Sequence, residues 1–251
     1  MKVFKFGGTS VGTPERILEV KRIIEAQTIP CVVVVSAFGG VTDNLLQAAE
    51  IAASGNKEYS ALLDRINTKH REFAERLIKD KEKHKKVAEV VDTISNELIE
   101  FNKGIFFLRE LTRHSLDQVL SAGERISSFL ISNLLEENDY IDSREIIKTD
   151  LRFGDSVVDF KTTNSLITGR INPKSRLTVV PGFIASNTRG ETTTLGRGGS
   201  DYTAAIIAAA INAEILEIWT DVDGFMTADP RKVDKAYTIE SLTYAEAMEL
   251  S

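Results

Sequence analysis

The 251-residue chain has one cysteine, Cys31, so no intrachain disulfide can staple it. Cys31 lies within Pro-Cys-Val-Val-Val-Val, where a small thiol is expected to pack into a core rather than act as a nucleophile. No stretch approaches the roughly 20 apolar residues that a membrane helix requires, and the N-terminus runs straight into a strand without a signal-peptide pattern. The expected location is therefore cytoplasmic, with no membrane partner. A basic excess is missing too: the formal charge of −6 argues against general attraction to nucleic acid or to anionic lipid. The three histidines, His70, His84 and His114, have no carboxylate or cysteine set at ligand spacing, so they are expected on a solvated face and no dedicated metal site is expected. Two nucleotide fingerprints are also lacking. The first strand–helix loop reads Gly-Gly-Thr-Ser-Val-Gly rather than Gly-x-Gly-x-x-Gly, and no Gly-Lys-Ser/Thr closes a P-loop. No internal repeat or low-complexity linker marks a domain boundary, so residues 1–251 are read as one domain.

With 42% hydrophobic and 27% charged residues, the chain can bury a full core. Val3 to Phe6 reads as a strand that breaks at Gly7-Gly8-Thr9-Ser10. Thr13-Pro14 then reads as N-cap and first position of a helix through about Gln27. Cys31 to Val35 is a continuous apolar strand of the kind buried in a parallel sheet, which completes a βαβ unit. It ends in Ser36-Ala37-Phe38-Gly39-Gly40-Val41-Thr42, a small-residue loop ahead of a helix from about Asp43 to Ser54. From Asn56 to about Leu111 a charged, amphipathic pattern predicts two or three helices. Ser121-Ala122-Gly123-Glu124 reads as the opening of a helix over Ile126 to Glu137, with Glu124 near its start. Residues 139–175 alternate short β-type pieces, such as Ser156 to Phe160, with polar turns. Leu177 to Ile184 and Ile215 to Trp219 are further strands, and ligands in such sheets bind where loops gather at the carboxyl ends of the strands.

The stretch Thr192 to Thr203, containing Gly196-Arg197-Gly198-Gly199-Ser200-Asp201, leads into the apolar run Ala204 to Ile211. Its glycines let backbone approach a ligand, and Ser200 or Asp201 is expected to cap the helix. A helix start carries partial positive charge, and Arg197 adds a planar fork for a carboxylate or phosphate. The alternative is a Gly-rich surface turn ahead of a core helix.

Lys5-Phe6-Gly7-Gly8-Thr9-Ser10, Ser121-Ala122-Gly123-Glu124, Gly196 to Asp201 and Trp219-Thr220-Asp221-Val222-Asp223-Gly224 stand in one order along the chain. Together they closely resemble the catalytic domain of the aspartate kinases, within the amino-acid kinases. The resemblance implies a three-layer α/β/α sandwich with a central, mostly parallel sheet, and transfer of the γ-phosphoryl of ATP to the side-chain carboxylate of aspartate. It implies that Lys5, Gly7, Gly8, Thr9 and Ser10 cradle phosphates. It further implies that Arg197 clamps the carboxylates of aspartate, with Ser36, Thr42, Phe183 and Ser200 shaping the pocket, and that Glu124 and Asp201 hold the substrate ammonium. Lys5, Arg197 and Asp201 are the expected catalytic group. Thr220, Asp221 and Arg231 would contact the nucleotide, and Mg²⁺ would ride mainly on phosphate oxygens and water. Met226, also expected at the nucleotide, stands where the family usually has a tyrosine; it can pack on an adenine face but cannot donate a phenolic hydrogen bond. The sequence stops where the family continues into a Phe-Gly-Ala-Lys segment, so an incomplete catalytic domain is expected, from a protein that is a homo-oligomer when full length. Kinases of glutamate or N-acetylglutamate, and a binding domain of the same fold without chemistry, are the alternatives.

Overall fold

Side-chain alternation along the central strands decides the layering of this protein. The structure is a computed structural model that describes residues 1–222, 224–228 and 232–250. The described residues fall into two compact units, one spanning Met1–Trp219 and one beginning at Thr220. The first opens with β1 (Lys2–Phe6), α1 (Pro14–Glu25) and β2 (Cys31–Val35). Thr13 caps α1 as expected: its side chain accepts the Arg16 N–H at 3.3 Å, and Pro14 takes the first helical position. Four helices follow, α2 (Val41–Ala53), α3 (Tyr59–Leu77), α4 (Lys81–Leu108) and α5 (Arg113–Leu134). The charged region thus holds two long helices, with Asp80 capping α4 through the Lys83 N–H.

The next stretch contains β3 (Asp139–Tyr140), α6 (Ser143–Ile146), β4 (Lys148–Thr149) and α7 (Phe160–Arg170). The β-type reading of Ser156 to Phe160 fails here. Val158 makes only a bridge to Thr149, and Asp159 caps α7 through the Thr162 N–H. The helix is polar and threonine-rich with only Thr163 and Ile167 buried, so apolar periodicity could not announce it. The chain continues through β5 (Leu177–Pro181), β6 (Ile184–Asn187), β7 (Thr192–Thr194), α8 (Gly199–Ala210) and β8 (Ile215–Trp219). The strand expected over Leu177 to Ile184 is broken at Gly182-Phe183, where Phe183 adopts a left-handed φ of 66°.

Five strands form a wholly parallel sheet in the order β3-β5-β2-β1-β8. A smaller sheet, β4-β6-β7, pairs β6 and β7 antiparallel. Phe4, Phe6, Val33, Val35 and Val179 face one core, shared with α1 to α5, whereas Val3, Val32, Val34 and Val180 face a second core shared with α6 to α8. Each of these side chains is fully buried, a stabilisation of roughly 1.5–3 kcal/mol apiece. The result is the three-layer α/β/α sandwich with a mostly parallel sheet. Cys31 is buried, and burial pushes its thiol up to about 11, which removes it as a nucleophile. In the register of the large sheet Phe6 stands opposite both Val35 and Trp219, and Val35 opposite Pro181. The carboxyl ends of β1, β2, β5 and β8 are therefore side by side.

The second unit contains an isolated bridge between Met226 and Thr238, and α9 (Tyr244–Leu250). A reciprocal pair caps α9: the Thr243 N–H donates to Glu246 at 2.8 Å and the Glu246 N–H donates to the Thr243 hydroxyl at 3.3 Å. Among the described residues no helix is long and apolar enough to cross a membrane.

Candidate active site

Lys5 is the next-to-last residue of β1, and the strand's alternation puts it on the face of Val3, the α8 side of the sheet, at the carboxyl end of the strand. Its ammonium is 2.8 Å from Oδ1 of Asp201, in the first turn of α8. A Cβ on Gly7 would come within 3.3 Å of the Lys5 Nζ, so the glycine keeps that ammonium unobstructed. Thr9 is exposed, and the Ser10 hydroxyl donates to the Trp219 carbonyl at 3.2 Å.

Gly196 and Gly198 both have φ of 72°, a backbone that a side chain would strain. Neither Ser200 nor Asp201 caps α8, contrary to the sequence expectation. The N-cap is Gly198, with no side-chain hydrogen bond, and both polar residues lie inside the first turn. Because the two glycines carry the left-handed turns, the helix begins two residues earlier than a Ser200 cap, and three earlier than an Asp201 cap, would place it. The Gly199 N–H is taken by the Gly196 carbonyl at 3.0 Å and, in α2, whose N-cap Gly40 also lacks a side-chain bond, the Val41 N–H by the Phe38 carbonyl at 2.9 Å, which leaves the N–H groups of Ser200 and Asp201 and of Thr42 and Asp43 without a partner among the described residues. Phe183 is wedged against this turn, and a Cβ on Gly199 would meet its ring at 2.7 Å. The Thr203 hydroxyl accepts the Phe183 N–H at 3.0 Å and donates to the Gly199 carbonyl at 2.9 Å, which locks strand end and helix start together.

Glu124 is not at a helix start. It lies in the middle of α5, because Gly123, read from sequence as a helix opening, serves close packing instead: a Cβ there would be 2.8 Å from the Ala37 Cβ. The carboxyl is only 4% exposed, and its Oε2 has no hydrogen-bond partner. Burial drives its pKa from the ordinary 4.5 up to about 8, with the Ala37 N–H offsetting part of the rise. One turn later the Ser127 hydroxyl donates to the Ser36 carbonyl at 2.8 Å and ties α5 to the loop after β2.

These elements enclose a cavity of about 400 Å³. Of the residues marked in the sequence, the structure places Lys5, Gly8, Ser36, Thr42, Glu124, Phe183, Arg197, Ser200 and Asp201 on its wall. Gly7, Thr9 and Ser10 stand beside it in the same loop without lining it. Thr220, Asp221 and Met226 belong to the second unit, where the Thr220 hydroxyl donates to Asp221 at 3.2 Å. Arg231 lies outside the described residues. Arg197 is exposed at the rim and has no ion-pair partner among the described residues. Gly39, Gly40 and Asp43 also line the cavity and were not marked beforehand.

The solvated face expected for the histidines fails for His70 but holds for His114, which is exposed. His70 falls with Ile66 and Phe73 on the apolar side of α3, is fully buried, and packs on the Phe38 ring. His84 is half-buried beside Glu75 at 3.2 Å, and His114 lies against the Phe153 ring. Among the described residues no group of three or more His, Cys, Asp or Glu could hold a metal ion.

The chain is similar along its length to several characterised proteins. It is 34% identical to a bifunctional aspartokinase/homoserine dehydrogenase of Buchnera aphidicola, over 100% of this chain and 32% of that protein. It is 35% identical to the lysine-sensitive aspartokinase 3 of Escherichia coli, over 99% of this chain and 55% of that one. The crystal structure of E. coli aspartokinase III in complex with aspartate and ADP superposes with a TM-score of 0.88 at 32% identity, covering 99% of this chain and 55% of the other. The chain thus spans between about a third and about half the length of these relatives. The description "Amino acid kinase family" matches residues 1–251 without a gap at either end. The chain belongs to the amino acid kinase family.

Proposed function

We propose that this chain is the phosphotransfer domain of an aspartate kinase, which moves the γ-phosphoryl of MgATP to the side-chain carboxylate of L-aspartate and yields 4-phospho-L-aspartate. The observation that carries the proposal is the set of charges on one cavity wall: an exposed, unpaired guanidinium, an ammonium held by Asp201, and a buried carboxyl with an orphaned oxygen. A zwitterionic amino acid with a second carboxylate complements this set.

The chemistry places few demands on acid–base groups. A carboxylate with a pKa near 4 is already an ionised nucleophile at neutral pH, so no general base is needed. The barrier is instead the repulsion between that carboxylate and the phosphates, which positioning and positive charge lower. Lys5 supplies charge at the transferring group, and Asp201, 2.8 Å away, fixes its direction. Arg197 takes the α-carboxylate through two parallel hydrogen bonds. Glu124 takes the ammonium, which supplies the partner its Oε2 lacks; Asp201, expected from the sequence to share that role, is instead paired with Lys5. Ser36, Thr42, Phe183 and Ser200 shape the space around the side chain, and Gly7, Gly8, Thr9 and Ser10 border the phosphates.

The nucleotide roles of Thr220, Asp221, Met226 and Arg231 rest on the family resemblance. Mg²⁺ enters with ATP as part of the substrate. A cytoplasmic location and a homo-oligomeric full-length protein are part of the same reading, as is a place at the head of a pathway to aspartate-derived amino acids. ADP release from MgATP, coupled to NADH oxidation, tests the proposal. Aspartate is expected to stimulate it, and glutamate and N-acetylglutamate are not. Stimulation by N-acetylglutamate would refute the role of Glu124, since an acylated amine carries no charge for it to meet.

A further inference from the structure

The cavity wall formed by residues 36–40 has no regular secondary structure, so its shape depends on what backs it. Two supports come from the sandwich itself. Gly39 packs backbone to backbone on the first glycine loop, where an added Cβ would stand 3.1 Å from the Gly8 carbonyl, and Ser127 holds the Ser36 carbonyl at 2.8 Å. The third comes from α3, thirty residues away in sequence. The Phe38 ring packs against Phe73 and His70 of that helix at 4.9 Å and 5.4 Å between centroids. Beside them the Lys69 Nζ donates to the Gly39 carbonyl at 2.6 Å, with the ammonium 5.5 Å from the Phe73 ring centroid.

We propose that Lys69 is a positioning residue for phosphoryl transfer, holding the Gly39–Gly40 peptide of the cavity wall through a charge-assisted hydrogen bond to the Gly39 carbonyl. The carbonyl of Gly39 and the N–H of Gly40 lie on opposite edges of one planar peptide. Fixing the first therefore fixes the direction in which the second can donate to an anionic ligand. No carboxylate pairs with Lys69 among the described residues, so its charge is committed to this carbonyl. A hydrogen bond from an ionised donor is roughly twice as strong as a neutral one, and the half-buried setting at Phe73 strengthens it further. Partial burial lowers the Lys69 pKa, consistent with an ammonium drawn out of water for a purpose other than solubility. Glycines at 39 and 40 leave this end of the loop, beyond Phe38, without side chains of its own to hold it, and Gly40 is in the left-handed conformation at the start of α2. A distant anchor is what such a loop requires.

The reaction that Lys69 serves rests on the aspartate kinase reading; the contact itself does not. The test compares the whole chain with Lys69→Met and Lys69→Arg by two readouts: hydrogen–deuterium exchange over residues 36–42, and kcat together with the aspartate dissociation constant. In the methionine variant, exchange over this segment is expected to rise about fivefold or more and kcat to fall about tenfold. Aspartate affinity is expected to fall by less than kcat does, because Ser36 and Thr42 border this segment while Arg197 and Glu124 stand on other elements. Arginine, which can also donate to the carbonyl, is expected to restore both readouts to within about threefold. Unchanged exchange, or a kcat within about twofold of the parent, would overturn the inference, as would equal losses in kcat and aspartate affinity. If the methionine variant does not fold, Lys69→Gln is read by the same criteria. If the parent chain makes no aspartyl phosphate, the functional reading fails, and exchange alone then decides whether Lys69 anchors the loop.

Discussion

Glu124 offers the sharpest quantitative test of the site, because its charge state and its ligand are linked. In the free protein, burial raises the carboxyl from 4.5 to about 8, which at about 1.4 kcal/mol per unit costs the ionised form on the order of 5 kcal/mol. The folded state therefore keeps a proton that the unfolded chain loses, and this group's contribution to stability declines as pH rises from 4.5 to 8. A substrate ammonium beside the orphaned Oε2 reverses the preference, since only the carboxylate pairs with it. Binding of aspartate at pH 7 must then expel the proton from most molecules, about 0.9 per site for a pKa of about 8. Isothermal titration in buffers of different ionisation enthalpy measures that number directly. Apparent affinity should rise by nearly tenfold per unit between pH 6 and 7.5 and level off above about 8. Glu124→Gln should abolish the buffer dependence and weaken aspartate by roughly 30-fold or more, the loss of a buried charge partner being on the order of 2 kcal/mol or above. A binding enthalpy independent of buffer at pH 7, in a chain that does bind aspartate, would refute the assignment of Glu124 to the ammonium.

Three further outcomes follow from the same geometry. Lys5→Ala should cut kcat by about 10²–10³ with little change in aspartate affinity, whereas Arg197→Ala should weaken aspartate by tens-fold; equal loss of affinity in both variants would defeat the division of labour. Gly199→Ala forces a Cβ to within 2.7 Å of the Phe183 ring, so chemical denaturation should show a loss of about 1–3 kcal/mol, accompanied by a raised KM for aspartate. His70, held down to about 4 by burial, remains neutral in the folded state while the unfolded chain takes up a proton below about 6.5. Stability should consequently fall by about 2 kcal/mol more in the parent than in His70→Leu between pH 7 and 5, as read by urea titration at each pH.

The parts of this fold that are legible in sequence are those whose signal is local. Cys31 to Val35 announces a strand buried on both faces, and Thr13-Pro14 announces a helix start, because a run of β-branched residues and a cap act over a few positions. The glycine loops are equally legible, since Gly196 and Gly198 need left-handed backbone. What sequence hides is packing between distant elements. Gly123 resembles a helix break, and only Ala37 on the far side of the contact explains it as the point where α5 comes close. His70 resembles one more polar residue of a charged helix until Phe38 covers it, and Lys69 carries no sign in sequence of the carbonyl thirty residues back that it holds. The ion pair of Lys5 with Asp201 is hidden for the same reason, joining β1 to α8 across nearly the whole chain.

Hydroxylamine trapping bears most directly on the central claim that this cavity makes an acyl phosphate on aspartate. The chain is incubated with MgATP, hydroxylamine and, in turn, aspartate, glutamate and N-acetylglutamate, and the acyl hydroxamate is identified by mass. The account predicts β-aspartyl hydroxamate from aspartate alone, lost in Lys5→Ala. A hydroxamate from either of the other acids and none from aspartate, or a yield unaffected by Lys5→Ala, would contradict it.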